Sequence, residues 1–183
     1  MDAAQNDFSQ SLSHLPIRLY FQDEARFGRI NTLQKCWCMK GVIPVVTQQL
    51  IREYTYIFNA VCPETGITCS LIMPRADTET MNVFLQTLSK QQQNERIILC
   101  MDKAGWHTTT QLKMPENVIA WYLPPYSPEL NPVELIWREL RANYFNNKTF
   151  ETLDSVDDHL EYAINDFTKN LDAIKKLTKI NYL

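Results

Sequence analysis

Asp23 and Asp102 each stand directly after a short apolar run, Ile17-Arg18-Leu19-Tyr20-Phe21-Gln22 in one case and Ile97-Ile98-Leu99-Cys100-Met101 in the other. Runs of this length, rich in β-branched and aromatic residues, predict strands. In open α/β sheets, ligand sites gather outside the carboxyl ends of strands. If the two strands are neighbours, about 4.8 Å apart, their terminal carboxylates can face one cation. Two bare carboxylates at that distance repel, which favours a shared proton or a divalent cation. A third acidic candidate, Glu134, falls at the start of a helix opened by Asn131-Pro132. Glu134 also has a local explanation: with Asn131 as N-cap and Pro132 at N1, it would bond back to the Asn131 backbone in a variant capping box. Taken singly, Asp23 and Asp102 are equally ordinary as strand-end turn residues.

The elements that must position these groups follow from the hydrophobic pattern. Besides the two runs above, strands are predicted at Lys35–Met39, stopped by Gly41 and Pro44, and at Thr55–Cys62, Ile67–Met73 and Val118–Leu123. Pro63-Glu64-Thr65-Gly66 is a turn signal joining two of them into a hairpin. Met81, Phe84, Leu85 and Leu88 have helical spacing after a cap at Asp77 or Thr78, with Gln91-Gln92-Gln93-Asn94 as the loop at the helix end. Leu135, Ile136, Trp137 and Leu140 mark a second helix, and Thr152 to Phe167 a third; a short basic segment with Lys175, Lys176 and Lys179 closes the chain. Strands first, then helix, strand, strand and helices, predict an α/β domain with a mixed central sheet flanked by helices.

The chain of 183 residues is long enough for one such domain with a real core. A hydrophobic content of 45% makes wholesale disorder an unsuitable description. Residues 1–15 read as a polar, flexible leader and residues 16–183 as the domain. No apolar run approaches the roughly 20 residues that cross a bilayer, and the leader lacks the basic start and apolar centre of a signal peptide. An intracellular, cytoplasmic protein is therefore expected. Cys36, Cys38, Cys62, Cys69 and Cys100 are odd in number and form no CxxC pair, so they read as buried, reduced core thiols. Cys36-Trp37-Cys38, if a strand, would put two thiols on one face, which is half a metal site. The net charge of −3 argues against a domain whose main task is neutralising DNA phosphates, but carboxylates of a metal site enter that tally without the ions that cancel them.

The segment Leu123-Pro124-Pro125-Tyr126-Ser127-Pro128-Glu129-Leu130-Asn131-Pro132-Val133-Glu134-Leu135-Ile136-Trp137 closely resembles the third-carboxylate motif of the mariner-like DDE transposases, most of all the bacterial insertion-sequence six-thirty branch. Asp23-Glu24-Ala25-Arg26-Phe27-Gly28-Arg29, with Trp37 and Gly41 downstream, and Met101-Asp102-Lys103-Ala104-Gly105-Trp106-His107 resemble its other two blocks, in the right order. The resemblance spans nearly the whole chain beyond the leader. It implies an RNase H-like fold with a mixed five-stranded central sheet. It further implies Asp23, Asp102 and Glu134 as metal ligands and His107 as a catalytic histidine that orients the attacking group or touches the scissile phosphate. A helix-start or loop histidine is the alternative for His107. The gap between Asp102 and Glu134 is slightly short for the family, which leaves Glu129 as a second candidate, and Lys103 replaces the asparagine often found there.

The implied cofactor is Mg²⁺ or Mn²⁺, two ions about 4 Å apart, with Asp23 bridging both and Asp102 and Glu134 each completing one shell. The implied reaction is hydrolysis of a strand at an insertion-sequence end, followed by joining of the freed 3′-hydroxyl to target DNA. DNA is therefore the expected partner, and the protein would associate with the nucleoid when bound to it. A homodimer is expected because two ends must be paired. Only about twenty residues precede Asp23, too few for the helix-turn-helix modules that such transposases carry. That suggests a separate DNA-binding polypeptide from a split element, or a truncated remnant. Two other readings stay open: a structure-selective nuclease without strand transfer, and a non-catalytic interaction module derived from the same fold. Around the site, Glu24 reads as a supporting group. Arg26, Arg29, Lys35 and Lys40 read either as a phosphate-contacting strip or as solvated charge, and Trp121, Tyr122 and Trp137 as core.

Overall fold

The computed structural model describes residue 8 and residues 10–180. Of the predicted leader, residues 1–7 and 9 lie outside the described residues; the rest includes a 3₁₀ turn at Gln10–Leu12. Five strands, β1 (Ile17–Ile30), β2 (Leu50–Val61), β3 (Thr68–Met73), β4 (Arg96–Met101) and β5 (Val118–Tyr122), form one mixed sheet in the order β3-β2-β1-β4-β5. β1, β2 and β3 run antiparallel to their neighbours, while β1, β4 and β5 are parallel. The helices are α1 (Thr78–Gln91), α2 (Val133–Leu140), α3 (Leu153–Phe167) and α4 (Leu171–Leu177).

The two faces of the sheet carry separate cores because strand side chains alternate. Tyr20, Phe58, Ala60, Leu99 and Met101 meet Met81, Phe84, Leu85 and Leu88 of α1 on one face. Phe21, Ala25, Phe27, Ile57 and Cys100 meet α2, α3 and α4 on the other through Ile136, Trp137, Leu140, Val156, Leu160 and Ile174. Each of the large aliphatic and phenylalanine side chains among them contributes roughly 1.5–3 kcal/mol. α1 starts at Asp77, whose side chain accepts from the Thr80 backbone while Thr80 bonds back, a reciprocal cap. The turn before β3 needs its glycine: Gly66 has φ +75, and a Cβ there would lie 2.3 Å from the Leu171 carbonyl oxygen.

Four expectations are corrected. No strand forms at Lys35–Met39. The pairing of β1 with β2 ends at Ile30↔Leu50, so the connecting segment has no neighbouring strand to bond, and Trp37 is fully exposed. For the same reason Cys36 and Cys38 are exposed, whereas Cys62, Cys69 and Cys100 are buried as expected. β1 does not stop at Gln22 either: it continues through Asp23 to Ile30 because β2 keeps pairing with it long after β4 has ended. Trp121, read as core, lies on the edge strand β5 and is 64% exposed.

Candidate active site

The parallel pairing of β1 and β4 ends at Phe21↔Cys100. Asp23 and Asp102 each follow two residues later, so they stand level with one another where the two strands part. Asp23 shares the face of Phe21 and Ala25, the face covered by α2. Trp137 of α2 donates from Nε1 to Asp23 Oδ2 at 2.8 Å. Burial pushes the Asp23 carboxyl up to about 7; the Trp137 bond pulls it down, and the charges of Glu134 and Glu24 push it up again. Trp137 is therefore core, as expected, and also the group that fixes one oxygen of Asp23.

Glu24, one residue on, points to the opposite side of the sheet. Its carboxylate is only 8% exposed and accepts from His107 Nε2 at 2.9 Å and Trp106 Nε1 at 3.3 Å. His107 Nδ1 bonds Asp102 Oδ1 at 2.8 Å, and the same oxygen accepts from the Ala104 backbone at 2.9 Å. His107 is 1% exposed with both ring nitrogens occupied. Burial alone would lower its pKa, but the bonds to Asp102 and Glu24 outweigh that and hold it up to about 9, so it is an imidazolium between two carboxylates. The bond from His107 holds Asp102 below the usual carboxylate range, against the opposing effect of burial. Asp102 keeps 61% of its side chain exposed, with its second oxygen unclaimed by this network.

Glu134 does not form the capping box. A 3₁₀ turn at Pro128–Leu130 brings the Pro128 carbonyl to the Asn131 N–H at 3.0 Å, so that donor is already satisfied. The Asn131 side chain instead accepts from the Val133 N–H at 3.2 Å and donates to the Gln22 carbonyl at 2.9 Å. This ties the start of α2 to β1 beside Asp23 and leaves the Glu134 carboxylate to face the cleft. Two cavities, about 790 Å³ and 550 Å³, meet at the carboxylates: Asp23, Asp102, Ala104 and Glu134 line both. Glu129 lines neither. Among the described residues, no three His, Cys, Asp or Glu side chains are grouped tightly enough to hold a metal ion as they stand. The donor chemistry nevertheless suits one: three carboxylates, no thiol and no free imidazole are a hard, all-oxygen set of the kind Mg²⁺ and Mn²⁺ take. Asp23, half-buried beside other anions, is the group such a charge would relieve.

The larger cavity runs from the carboxylates towards Arg26 and Arg141. Arg26 lies over the Tyr54 ring at 5.3 Å and Arg141 over Phe27 at 5.1 Å. The expected basic strip divides here: Arg29 is turned away to Glu53 and the Phe150 carbonyl, and Lys35 and Lys40 are exposed on the irregular segment beyond β1. Sequence reasoning missed Arg141 and the docking bond of Asn131. Helical periodicity could have found Arg141, since Glu134, Trp137 and Arg141 fall on one helix face.

The sequence profile of the DDE superfamily endonucleases matches residues 18–157. The chain belongs to that family. An uncharacterized protein of Sinorhizobium fredii, y4pE/y4sA, is 41% identical over 107 residues, 58% of this chain and 79% of the relative. Among solved structures, the Mos1 transposase paired-end complex with the left transposon end matches with TM-score 0.56 and 15% identity, over 88% of this chain and 55% of that one. The mariner Mos1 paired-end complex with Mn gives 0.56, 15%, 88% and 54%. The simian T-cell lymphotropic virus intasome with a PP2A regulatory subunit gives 0.50, 11%, 92% and 50%. At these identities the likeness is one of fold, and the fold of this DDE-family chain is RNase H-like. The chain spans about half the length of the solved chains it matches. Among the described residues, no helix is long and apolar enough to cross a membrane.

Proposed function

We propose that this DDE-family chain is the catalytic domain of a transposase, which cleaves DNA at the ends of an insertion element and joins the freed 3′-hydroxyl to target DNA. The observation that supports it best is the convergence of Asp23 and Asp102, level on neighbouring parallel strands, with Glu134 of α2 on the same two cavities. In this reading Asp23, Asp102 and Glu134 hold two Mg²⁺ or Mn²⁺ ions. Bound there, the ions supply Lewis-acid stabilisation of the charge that develops on phosphodiester oxygens.

The rest is done by the chain itself. Trp137 fixes one oxygen of Asp23, so the other is presented to the cleft in a set direction. Glu24 and His107 act as positioning residues: their chain of bonds holds one oxygen of Asp102 and aims the second outward. With both nitrogens committed and the ring buried, His107 orients Asp102 instead of touching the scissile phosphate. Arg26 and Arg141 offer cations along the larger cavity, where a phosphodiester backbone leaving the carboxylates would run. Local cations of this kind let an acidic chain hold DNA over a short track. A homodimer pairing two ends, and a separate helix-turn-helix polypeptide supplying end recognition, belong to the same proposal.

Nicking of supercoiled plasmid in Mn²⁺ tests the reading. The wild-type chain is expected to nick and Asp102→Asn to lose at least a hundredfold of the rate; equal nicking by both would overturn it.

A further inference from the structure

Tyr126 sits in the wall of the smaller cavity, with Asp23, Asp102, Lys103 and Glu134. Its backbone has φ 59, in the left-handed region where a bulky residue is strained, and the residue is fully exposed. It therefore carries a conformational cost with no packing in return. Asn147, the other non-glycine residue with positive φ among the described residues, is different in kind. Asparagine tolerates that region, and the Asn147 side chain bonds the Gln34 backbone at both its N–H and its carbonyl. Nothing comparable holds Tyr126, so the fold does not explain it.

The loop that presents Tyr126 is stiff and anchored at both ends. Pro124, Pro125, Pro128 and Pro132 fix φ along it. At its start the Leu123 N–H donates to the Met101 carbonyl at 2.9 Å, beside Asp102; at its end Asn131 donates to the Gln22 carbonyl, beside Asp23. The ring is thus held at a set position relative to both aspartates, and binding would immobilise little that is not already fixed. An exposed aromatic face next to a site that grips phosphodiesters is a platform for a nucleobase. A base inside a duplex has both faces covered by its neighbours, so an unpaired or unstacked base can use it and an internal paired one cannot.

We propose that Tyr126 stacks against an unpaired nucleobase of the DNA strand held at the carboxylates, with Lys103 facing that strand's phosphate in the same cavity. This rests on the DNA-cleaving reading above and adds to it a preference for strand that is frayed or single-stranded beside the cut.

The test uses the full chain with Ca²⁺ and single-stranded oligonucleotides carrying 2-aminopurine at successive positions, whose emission falls when the base stacks. The wild-type chain is expected to quench the probe at one or two positions, and much less in the matched duplex. Tyr126→Phe should keep the quench. Tyr126→Leu should lose it and bind the single strand about five- to a hundredfold more weakly. Tyr126→Gly relieves the backbone and should melt no lower than wild type while losing the quench, which separates stacking from a folding role. Unchanged quench and affinity in Tyr126→Leu, or equal loss in Tyr126→Phe, would overturn the proposal. Plasmid nicking by the wild-type chain in Mn²⁺ would then leave the DNA-cleaving reading standing; absence of both quench and nicking would end both.

Discussion

Replacing Asp23 with asparagine is expected to stabilise the metal-free protein while abolishing metal binding. The carboxyl of Asp23 is pushed from 3.8 up to about 7, first by burial and then by the neighbouring Glu134 and Glu24. An acid whose pKa is higher in the folded state binds its proton more tightly there. Its contribution to stability is therefore fully present below about pH 4 and is lost as pH rises through about 7. Carried through, a rise from 3.8 to about 7 corresponds to a loss of roughly 4 kcal/mol once the carboxylate is fully ionised. Asparagine keeps the oxygen that accepts from Trp137 and removes the charge. Desolvation of the amide offsets part of the gain, which leaves about 2 kcal/mol, or roughly 4–8 °C in melting temperature for a chain of this size.

The assay is thermal unfolding by circular dichroism in EDTA, with both proteins at pH 8 and at pH 5, then at pH 8 with Mn²⁺. Asp23→Asn should melt higher than wild type in EDTA at pH 8, and the gap should narrow at pH 5, where wild-type Asp23 is protonated when folded. Mn²⁺ should raise the wild-type midpoint by mass action and leave the variant unmoved. A variant that melts at or below wild type in EDTA at pH 8, or a gap that does not depend on pH, would refute the picture of Asp23 as a half-buried carboxylate waiting for a cation.

Other expectations can be checked as simply. Glu24→Gln, which removes the charge behind His107 without removing volume, should weaken Mn²⁺ binding about 10–100-fold in calorimetric titration while leaving the Trp137 bond to Asp23 in place. Trp137→Phe frees Asp23 Oδ2 and should destabilise the fold by about 1–3 kcal/mol in urea unfolding, from the smaller ring and the lost bond together. Gly66→Ala should cost more than 1 kcal/mol by the same measurement, since it strains φ and strikes the Leu171 carbonyl. In the native protein a thiol reagent should modify Cys36 and Cys38 quickly and Cys62, Cys69 and Cys100 only on unfolding, as counted by mass spectrometry.

Where hydrophobic pattern and turn chemistry agreed, the sequence was a sound guide. The β2–β3 hairpin with its Pro63–Gly66 turn, the capped start of α1 and the buried run of β4 were all legible because local propensity and burial point the same way there. Lys35–Met39 misled because its aromatic and apolar residues look like a strand, yet a strand needs a partner and the connection beyond Ile30 has none. Glu134 could not be assigned from its neighbours: the capping reading is chemically sound, and only the Pro128 carbonyl taking the Asn131 N–H removes it. The tie from Glu24 through His107 to Asp102 links residues 24 and 102 across the end of the sheet. No spacing rule connects them before the order of β1 and β4 is known.

That order also explains why the site lies where it does. β1 is the strand at which the sheet changes character, antiparallel to β2 on one side and parallel to β4 on the other. Beyond Phe21 and Cys100 the parallel partner is gone while β2 still holds β1 extended to Ile30, so a gap opens on one side of a rigid strand. Asp23 is thus fixed on a strand supported by a neighbour, not on a turn, and it is partly buried because α2 crosses that face. Asp102 has the opposite support: it leaves its strand into a loop and is held by the His107 bond and the Ala104 amide. The pair therefore combines one carboxylate set by backbone pairing with one set by side-chain bonds. Substitutions in the Glu24–His107 tie should therefore alter the bonding of Asp102 and reach Asp23 only through the charge of Glu24. Double-mutant cycles on Mn²⁺ affinity should show coupling between Glu24→Gln and Asp102→Asn and near-additivity between Glu24→Gln and Trp137→Phe. Coupling of the same size in both cycles would mean that the cleft responds as one unit, and the two-support account would have to be given up.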